Sequence, residues 1–276
     1  MLYVKKIGAL ILLLLFCCAI GKGWHYAKDG FRIQRINLSC SQTRETSPFN
    51  LELWPALSQK YVYLSRGRQC YAFASEDGRY VLKFPRSDSY KIPFWLRVCL
   101  FSFLDNKRSV CLEAKKNRLN WLMNSFSLAH SELKKETALL YLHLRATHDL
   151  QRSVSIQDGL GRVYYLDLDK TAFALQEKKP LLIPIFRERL KNGDREGAQF
   201  LLEAFMDLVA IRAKKGIFNK DGYFLRNFGF DGQRAIQVDI GDFYRPNEKD
   251  PSFSFSFTST LRFTAFSSLS ASSINS

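Results

Sequence analysis

Short apolar runs with β-forming residues recur along the first two thirds of the chain and predict β-strands. Six runs have this character: Tyr61–Ser65, Cys70–Ser75, Arg79–Phe84, Val154–Gln157, Val163–Leu166 and Thr171–Leu175. Asp77 and Gly78 lie between the second and third runs and form a strong hairpin signal. The pattern predicts a small antiparallel sheet with helices inserted between its strands, which is an α+β lobe.

Apolar residues at helical spacing predict helices in the remaining patterned segments. They are Trp95–Leu104, Leu112–Phe126, Leu133–Leu144, Pro184–Leu190 and the segment from Asp194 to Lys215. The last of these has Asp194 as a candidate N-cap, and it ends in two lysines followed by Gly216, a usual helix stop. It is the strongest helix signal in the chain.

Glu136 falls on the apolar stripe of the predicted helix Leu133–Leu144. A charge on a buried helix face costs several kcal/mol unless it is paired. Glu136 is therefore expected either to have a cationic partner or to reach solvent at the edge of the stripe.

The N-terminus carries an uncharged apolar run, Ile7–Gly21, between Lys5-Lys6 and Lys22. A spanning helix needs about 20 apolar residues, whereas the apolar core of a signal peptide has about 7–15. Residues 1–21 are therefore predicted to be either a cleaved signal peptide or an uncleaved transmembrane anchor. The protein is expected to be secreted or membrane-anchored, and basic residues on both sides of the run leave its orientation open.

Two further segments lack a sustained period. Residues 22–55 are rich in Ser and Thr and predict a linker, so the fold is expected to start near Tyr61. Residues 246–276 form a Ser/Phe-rich tail in which Ser252–Phe257 alternates like a strand.

The chain is strongly basic, with 41 Lys and Arg against 26 Asp and Glu among 276 residues and a formal net charge of +15. Such a charge favours contact with phosphates, nucleic acid or an anionic membrane. No zinc-finger, RNP-like or basic-zipper pattern occurs in the sequence, which disfavours nucleic acid as the partner. The six cysteines form no CxxC or Cys/His ligand spacing, so a zinc site is not expected.

Several polar residues stand at ordered positions along these elements. Lys83 ends Val81-Leu82-Lys83 on the third predicted strand, Asn227 follows the long helix, and Asp239-Ile240-Gly241 ends a short strand. The order, separation and placement resemble the protein kinase-like superfamily, in which the matching motifs are V-A-I-K, the catalytic-loop Asn and D-F-G. The resemblance covers about residues 61–243.

The resemblance implies a two-lobed α+β fold over residues 56–245, with an antiparallel N-lobe and a small, mainly helical C-lobe. It implies ATP and Mg²⁺ as cofactors, with Lys83 on the phosphates and Glu136 holding Lys83. It further implies that Asn227 and Asp239 bind Mg²⁺ and that Gln176 meets the adenine at the inter-lobe hinge.

The departures from the family pattern concern activity. Only Gly67 remains of the Gly-rich loop. Arg66 and Arg68 are expected either to be solvated loop residues or to contact the phosphates in its place. The H-R-D motif is absent, and Asp221 fits the catalytic base only if the loop contains one extra residue. No A-P-E motif follows Asp239.

Three functions therefore remain open. The first is phosphoryl transfer from ATP to a protein or small-molecule hydroxyl, and the second is a pseudokinase that acts as a binding module. The third is an exported α+β protein of unrelated function.

Overall fold

The computed structural model describes residues 15–23, 29–36, 49–91, 105–221 and 227–246. Within these ranges the labelled helices are α1 (Trp54–Leu57), α2 (Asp105–Glu132), α3 (Leu182–Lys191) and α4 (Arg195–Lys214). The longer strands are β1 (Lys60–Arg66), β2 (Cys70–Ser75), β3 (Tyr80–Pro85), β4 (Leu139–His143), β5 (Ser153–Gln157), β6 (Val163–Asp167) and β7 (Phe173–Glu177). Four short strands follow: β8 (Phe218–Asn219), β9 (Phe228–Phe230), β10 (Ala235–Gln237) and β11 (Phe243–Tyr244).

The fold is α+β, with a seven-stranded mixed sheet in the order β4-β7-β3-β2-β1-β5-β6. Strands β1, β2 and β3 are consecutive and antiparallel, and Gly78 takes a φ of +72° in the turn between the last two, as the Asp-Gly signal predicted. The expectation of a purely antiparallel sheet was wrong, because β5 pairs with β1 in parallel. No tight turn joins these two strands, so their relative direction could not be read from a local signal.

The chain divides into two compact units. The first comprises the described parts of Met1–Arg44, Pro48–Ser89 and Arg145–Phe173, and its core is aromatic. Phe31 lies at the centre of this core and meets the rings of Tyr63, Tyr71, Phe73 and Tyr164 at centroid distances of 5.6, 5.1, 5.5 and 6.1 Å.

The position of Phe31 corrects the predicted start of the fold. Phe31 is 2% exposed and Ile36 is fully buried, although both fall in the segment expected to be a linker. Phe31, Ile33 and Ile36 stand among charged and polar residues and are too few to make a sustained period, so sequence patterning could not identify Phe31 and Ile36 as core residues.

The second unit comprises the described parts of Tyr90–Leu144 and Ala174–Ser276. Helices α3 and α4 pack against the β9–β10 hairpin through Leu182, Leu201, Phe205, Phe228 and Phe230. Asp194 caps α4 by accepting a hydrogen bond from the Gly197 amide at 2.9 Å, and Gly216 follows the helix with a φ of +66°. Both ends of α4 therefore match the sequence prediction.

The predicted helix Leu133–Leu144 was wrong. Helix α2 ends at Glu132, the Thr137 hydroxyl donates to the Leu133 carbonyl at 2.7 Å, and Ala138 adopts a φ of +50° before β4 begins. A short apolar run fits a buried strand as well as a helix, and the left-handed residue between the two elements gives no signal in the sequence.

Several sequence predictions lie outside the described residues. They include the whole of the predicted helix Trp95–Leu104, residues 1–14 of the predicted signal peptide or anchor, and the predicted strand Ser252–Phe257. Residues 15–23 are helical. Of the helices in the described ranges, none has both the length and the apolar character that a membrane crossing requires.

Candidate functional site

Asp221 and Asn227 lie together in the second unit, on either side of residues 222–226, which are outside the described ranges. The Asn227 side-chain amide donates to Oδ2 of Asp221 at 2.9 Å. The Asp221 amide donates in turn to the side-chain oxygen of Asn219 at 2.8 Å. Since Asn219 belongs to β8, which pairs with β11, the candidate base is carried by a short antiparallel ladder.

A backbone hydrogen bond of the preceding residue places Asp239 close to Asn227. The amide of the preceding residue, Val238, donates to the Asn227 carbonyl at 2.7 Å, which extends the pairing of β9 with β10. Oδ1 of Asp239 accepts the Gly241 amide at 3.0 Å and closes a turn immediately after the strand. The structure therefore brings together Asp221, Asn227 and Asp239, three of the residues that the resemblance singled out.

Gly229 permits this hairpin to lie close to the preceding segment. A Cβ at this position would come within 3.0 Å of both the Lys179 Cβ and the Pro180 carbonyl oxygen. The Phe230 amide donates to that carbonyl at 2.9 Å. A larger residue would therefore push β9, and with it Asn227, out of register.

Ser125 of α2 clamps the turn that follows Asp239. Its Oγ donates to the Ile240 carbonyl and accepts from the Phe243 amide, each at 2.6 Å, and the side chain is fully buried. A serine within a predicted helix has no distinguishing sequence pattern. Sequence reasoning therefore missed it as a residue that positions Asp239.

Glu136 lies in the turn between α2 and β4 rather than on a helix. The cation that the structure brings to it is Lys215, whose Nζ donates to Oε1 of Glu136 at 2.8 Å and to the Glu132 carbonyl at 2.6 Å. The Gln237 amide also donates to the Glu136 carbonyl at 2.8 Å. Glu136 thus has a cationic partner, and its described contacts join α2, α4 and β10.

Arg212 is, after Ser125, a second residue of the candidate site that the sequence did not single out. Its guanidinium donates to the side-chain oxygen of Gln237 and lies 6.0 Å from the Phe243 ring centroid. Burial lowers the pKa of Arg212 to about 10, so the group remains charged at neutral pH. In the sequence it reads as an ordinary basic residue in the last turn of a helix, which is why the pattern did not reveal it.

Gln176 is buried near the end of β7. Its Nε2 donates to the Thr137 carbonyl at 2.8 Å. Its Oε1 is buried and has no hydrogen-bond partner in the described part of the chain. An unpaired buried acceptor of this kind needs a physical explanation, and a bound donor is one.

Lys83 and Gly67 lie in the first unit. Lys83 is half-buried on β3 directly opposite Ala72, and Val62 pairs with Ala74 on the neighbouring strand. Because cross-strand partners and alternate residues share a face, Lys83 lies on a face of small apolar side chains.

The loop that contains Gly67 is held by Arg86. The Gly67 amide donates to the Cys70 carbonyl at 2.8 Å, and Nη1 of Arg86 donates to the Gly67 carbonyl at 2.9 Å. Arg86 also forms a two-point contact with Asp88 at 3.2 and 2.8 Å. Burial raises the pKa of Asp88, but the hydrogen bonds from Arg86 and the nearby charge of Arg35 outweigh burial and leave it below the usual value.

The described residues contain no group of three or more His, Cys, Asp or Glu side chains arranged to hold a metal ion. A kinase-like magnesium site would not require one. Mg²⁺ retains several waters and is usually held by one or two carboxylates together with substrate phosphates. Asp239 and the amide oxygen of Asn227 have the right chemistry for that smaller donor set.

No known family model matches the chain, and no curated protein matches it. Among solved structures, WbdD is similar at 18% identity over 71% of this chain and 35% of that one, with a TM-score of 0.32. A structure described as the bifunctional kinase-methyltransferase WbdD gives 16% identity, the same coverage and a TM-score of 0.33. The complex of Rv3197 with erythromycin from Mycobacterium tuberculosis gives 12% identity over 66% of this chain and 45% of that one, with a TM-score of 0.34.

The chain therefore spans less than half the length of these structures. Likenesses with TM-scores this low do not establish a family for the chain.

Proposed function

We propose that this chain is a divergent kinase-like phosphotransferase that uses ATP and Mg²⁺ to phosphorylate a hydroxyl group. One observation carries the proposal. The Asn227 amide is hydrogen-bonded to the Asp221 carboxylate, and the Asn227 carbonyl is bonded to the residue just before Asp239. The candidate base and the two candidate metal ligands thus lie close together in the second unit.

Each residue has a chemical role in this proposal. Asp221 accepts the proton of the attacking hydroxyl, and hydrogen bonding to Asn227 holds its carboxylate in place. Because Nδ2 of Asn227 is turned to Asp221, Oδ1 is the amide atom that can ligate a cation, together with a carboxylate oxygen of Asp239. When bound, Mg²⁺ and ATP supply the phosphoryl group and neutralise the charge that develops on it.

Two further residues fit the nucleotide. Lys83 would contact the phosphates, while Oε1 of Gln176 would accept a hydrogen bond from the exocyclic amine of adenine. A buried acceptor without a partner costs about 1–3 kcal/mol, so a donor supplied by the ligand would recover that cost on binding. Gly67 is the remaining residue of the phosphate loop and is expected to lie near the triphosphate.

The acceptor is proposed to be a protein or a small-molecule hydroxyl. The N-terminal apolar run suggests a membrane-anchored or secreted protein. ATP is scarce outside the cytosol, so an anchored form with its folded part facing ATP fits the proposed activity better than free secretion.

A pseudokinase that acts as a binding module is the second candidate. It is favoured by the ion pair that joins Glu136 to Lys215, since the resemblance assigns this glutamate to Lys83. The single glycine of the phosphate loop points in the same direction.

Calorimetry with the full chain and Mg²⁺-ATP tests the proposal. Asp239→Ala and Lys83→Ala should abolish binding, whereas Asp207→Ala, an exposed carboxylate on α4, should leave it unchanged. Absence of binding by the folded wild-type chain, or equal binding by all the variants, would refute a nucleotide site. Asp221→Asn should retain binding, and loss of turnover in that variant would separate the enzyme from the pseudokinase.

A further inference from the structure

Residues 106–120 of α2 form a long helical surface without a buried residue. Every residue from Asn106 to Asn120 is at least partly exposed, including Val110 at 61% and Leu112 at 54%. Buried positions begin only at Leu122 and continue with Met123, Phe126 and Ala129. The second half of the helix therefore belongs to the core of its unit, whereas residues 106–120 contribute no buried side chain to it.

This exposed half is strongly basic. Between Asn106 and Asn120 the cations are Lys107, Arg108, Lys115, Lys116 and Arg118, and Glu113 is the one acid. Five positive charges and one negative charge give a net charge of +4 on 15 residues. Like charges this dense favour an anionic partner over bare solvent.

The charges are arranged on one side of the helix. A helix advances about 100° per residue, so the five cations fall within roughly 180° of its circumference. The same side of the helix carries Cys111, Leu112 and Leu119, whereas Glu113, Val110, Ala114 and four neutral polar residues occupy the rest. The cationic side is therefore interleaved with apolar side chains.

We infer that this face of α2, from Lys107 to Leu119, binds the surface of an anionic lipid bilayer. Long basic side chains can extend to the headgroup phosphates while leucines between them enter the acyl boundary. Nucleic acid or an acidic protein would satisfy the charges but would give no reason for the exposed Leu112 in the same sector. The surface includes none of Asp221, Asn227 and Asp239, and the inference does not rest on the proposed phosphotransferase activity.

The test is partitioning of the full chain onto vesicles of phosphatidylcholine, alone or with phosphatidylserine. Lys107→Gln, Lys116→Gln and Arg118→Gln are combined in one variant, since all three side chains are exposed. The matched control combines Arg187→Gln, Lys191→Gln and Arg195→Gln, which removes the same charge from exposed positions elsewhere. Any contribution of the N-terminal apolar run appears equally on both vesicle types and in all variants.

Each basic residue near an anionic surface contributes about 1 kcal/mol, or roughly fivefold in partitioning, so the triple variant should lose on the order of 100-fold. This loss should be confined to phosphatidylserine vesicles, and the control should bind like the wild type. Leu112→Gln should weaken binding further at high salt, where the charge term is screened.

Three outcomes would overturn the inference. Equal partitioning of the triple variant and its control would show that binding depends on the net charge of the protein and not on the charges of this face. Binding to a DNA oligonucleotide but not to vesicles would assign the face to nucleic acid. Absence of lipid binding together with a lower Tm for Leu112→Gln would show that another part of the chain covers the face.

Discussion

The hydrogen bonds of Ser125 make the sharpest prediction about how the candidate site is held together. The hydroxyl bonds both sides of the turn after Asp239, through the Ile240 carbonyl and the Phe243 amide. Replacement by alanine removes both bonds and adds no atom that could clash. The variant therefore measures the clamp alone.

The magnitude follows from burial. Ser125 is fully buried, so its loss leaves one backbone donor and one backbone acceptor without a partner. A buried unpaired group costs about 1–3 kcal/mol, and partial relaxation brings the expected total for the two groups to about 2–4 kcal/mol. Ser127→Ala, at an exposed position on the same helix, should change the free energy of unfolding by no more than about 0.5 kcal/mol.

Urea unfolding of the two variants measures the loss of stability. For Ser125→Ala we expect a lower midpoint urea concentration and an unchanged m value, the slope of the unfolding free energy against urea concentration. The turn also positions Asp239, so Mg²⁺-ATP affinity measured on the folded variant should fall by about tenfold, which is about 1.4 kcal/mol. If Ser125→Ala were as stable as Ser127→Ala, the two short hydrogen bonds would not be holding the turn. If Ser125→Ala lost stability but kept the nucleotide affinity of the wild type, the Ser125 hydrogen bonds would stabilise the fold without affecting the nucleotide site.

Three other residues give direct tests. Phe31→Ala should destabilise the chain by about 3–5 kcal/mol in thermal or urea unfolding, and a wild-type-like midpoint would place the start of the fold after it. Gln176→Met should narrow the preference for ATP over GTP in competition calorimetry, whereas an unchanged preference would exclude Oε1 as an adenine acceptor. The pKa of Asp88 is lowered in the folded protein. The Asp88 carboxylate therefore stabilises the fold at pH values above its unfolded pKa of about 3.9, and this stabilisation is lost as the pH falls through the folded pKa. The stability gap between wild type and Asp88→Asn should therefore be level from pH 5 to 8 and shrink below about pH 4, while a gap that persists in acid would contradict the ion pair.

Local signals account for the parts of the fold that the sequence predicted. The Asp77-Gly78 turn fixes the β2–β3 hairpin, and Asp194 and Gly216 mark the two ends of α4 because caps and left-handed turns depend on the residues at those positions. The parallel pairing of β1 with β5 and the burial of Phe31 depend on contacts that are distant in sequence. No window of neighbouring residues contains that information.

The residues of the candidate site also divide into those that the sequence could predict and those that it could not. Asp221, Asn227 and Asp239 could be singled out because their chemistry and order along the chain resemble known motifs, and the extra residue between Asp221 and Asn227 still permits their hydrogen bond. Ser125 and Arg212 could not, because a helix serine and a helix arginine acquire meaning only from what packs against them. The failed helix over Leu133–Leu144 moved Glu136 from a helix face into a turn, where Lys215 reaches it.

The Asn227–Asp221 contact also shows why Asp221→Asn separates the two proposed functions. The asparagine at position 221 would still offer an oxygen to Nδ2 of Asn227, so the amide of Asn227 would keep Oδ1 turned toward the proposed cation. Metal and nucleotide affinity should then persist, while the only group removed is the carboxylate that could accept a proton. A binding module has no step that depends on that proton, whereas a phosphotransferase with Asp221 as its base would lose turnover. The comparison is therefore decisive once wild-type turnover has been measured with an acceptor hydroxyl.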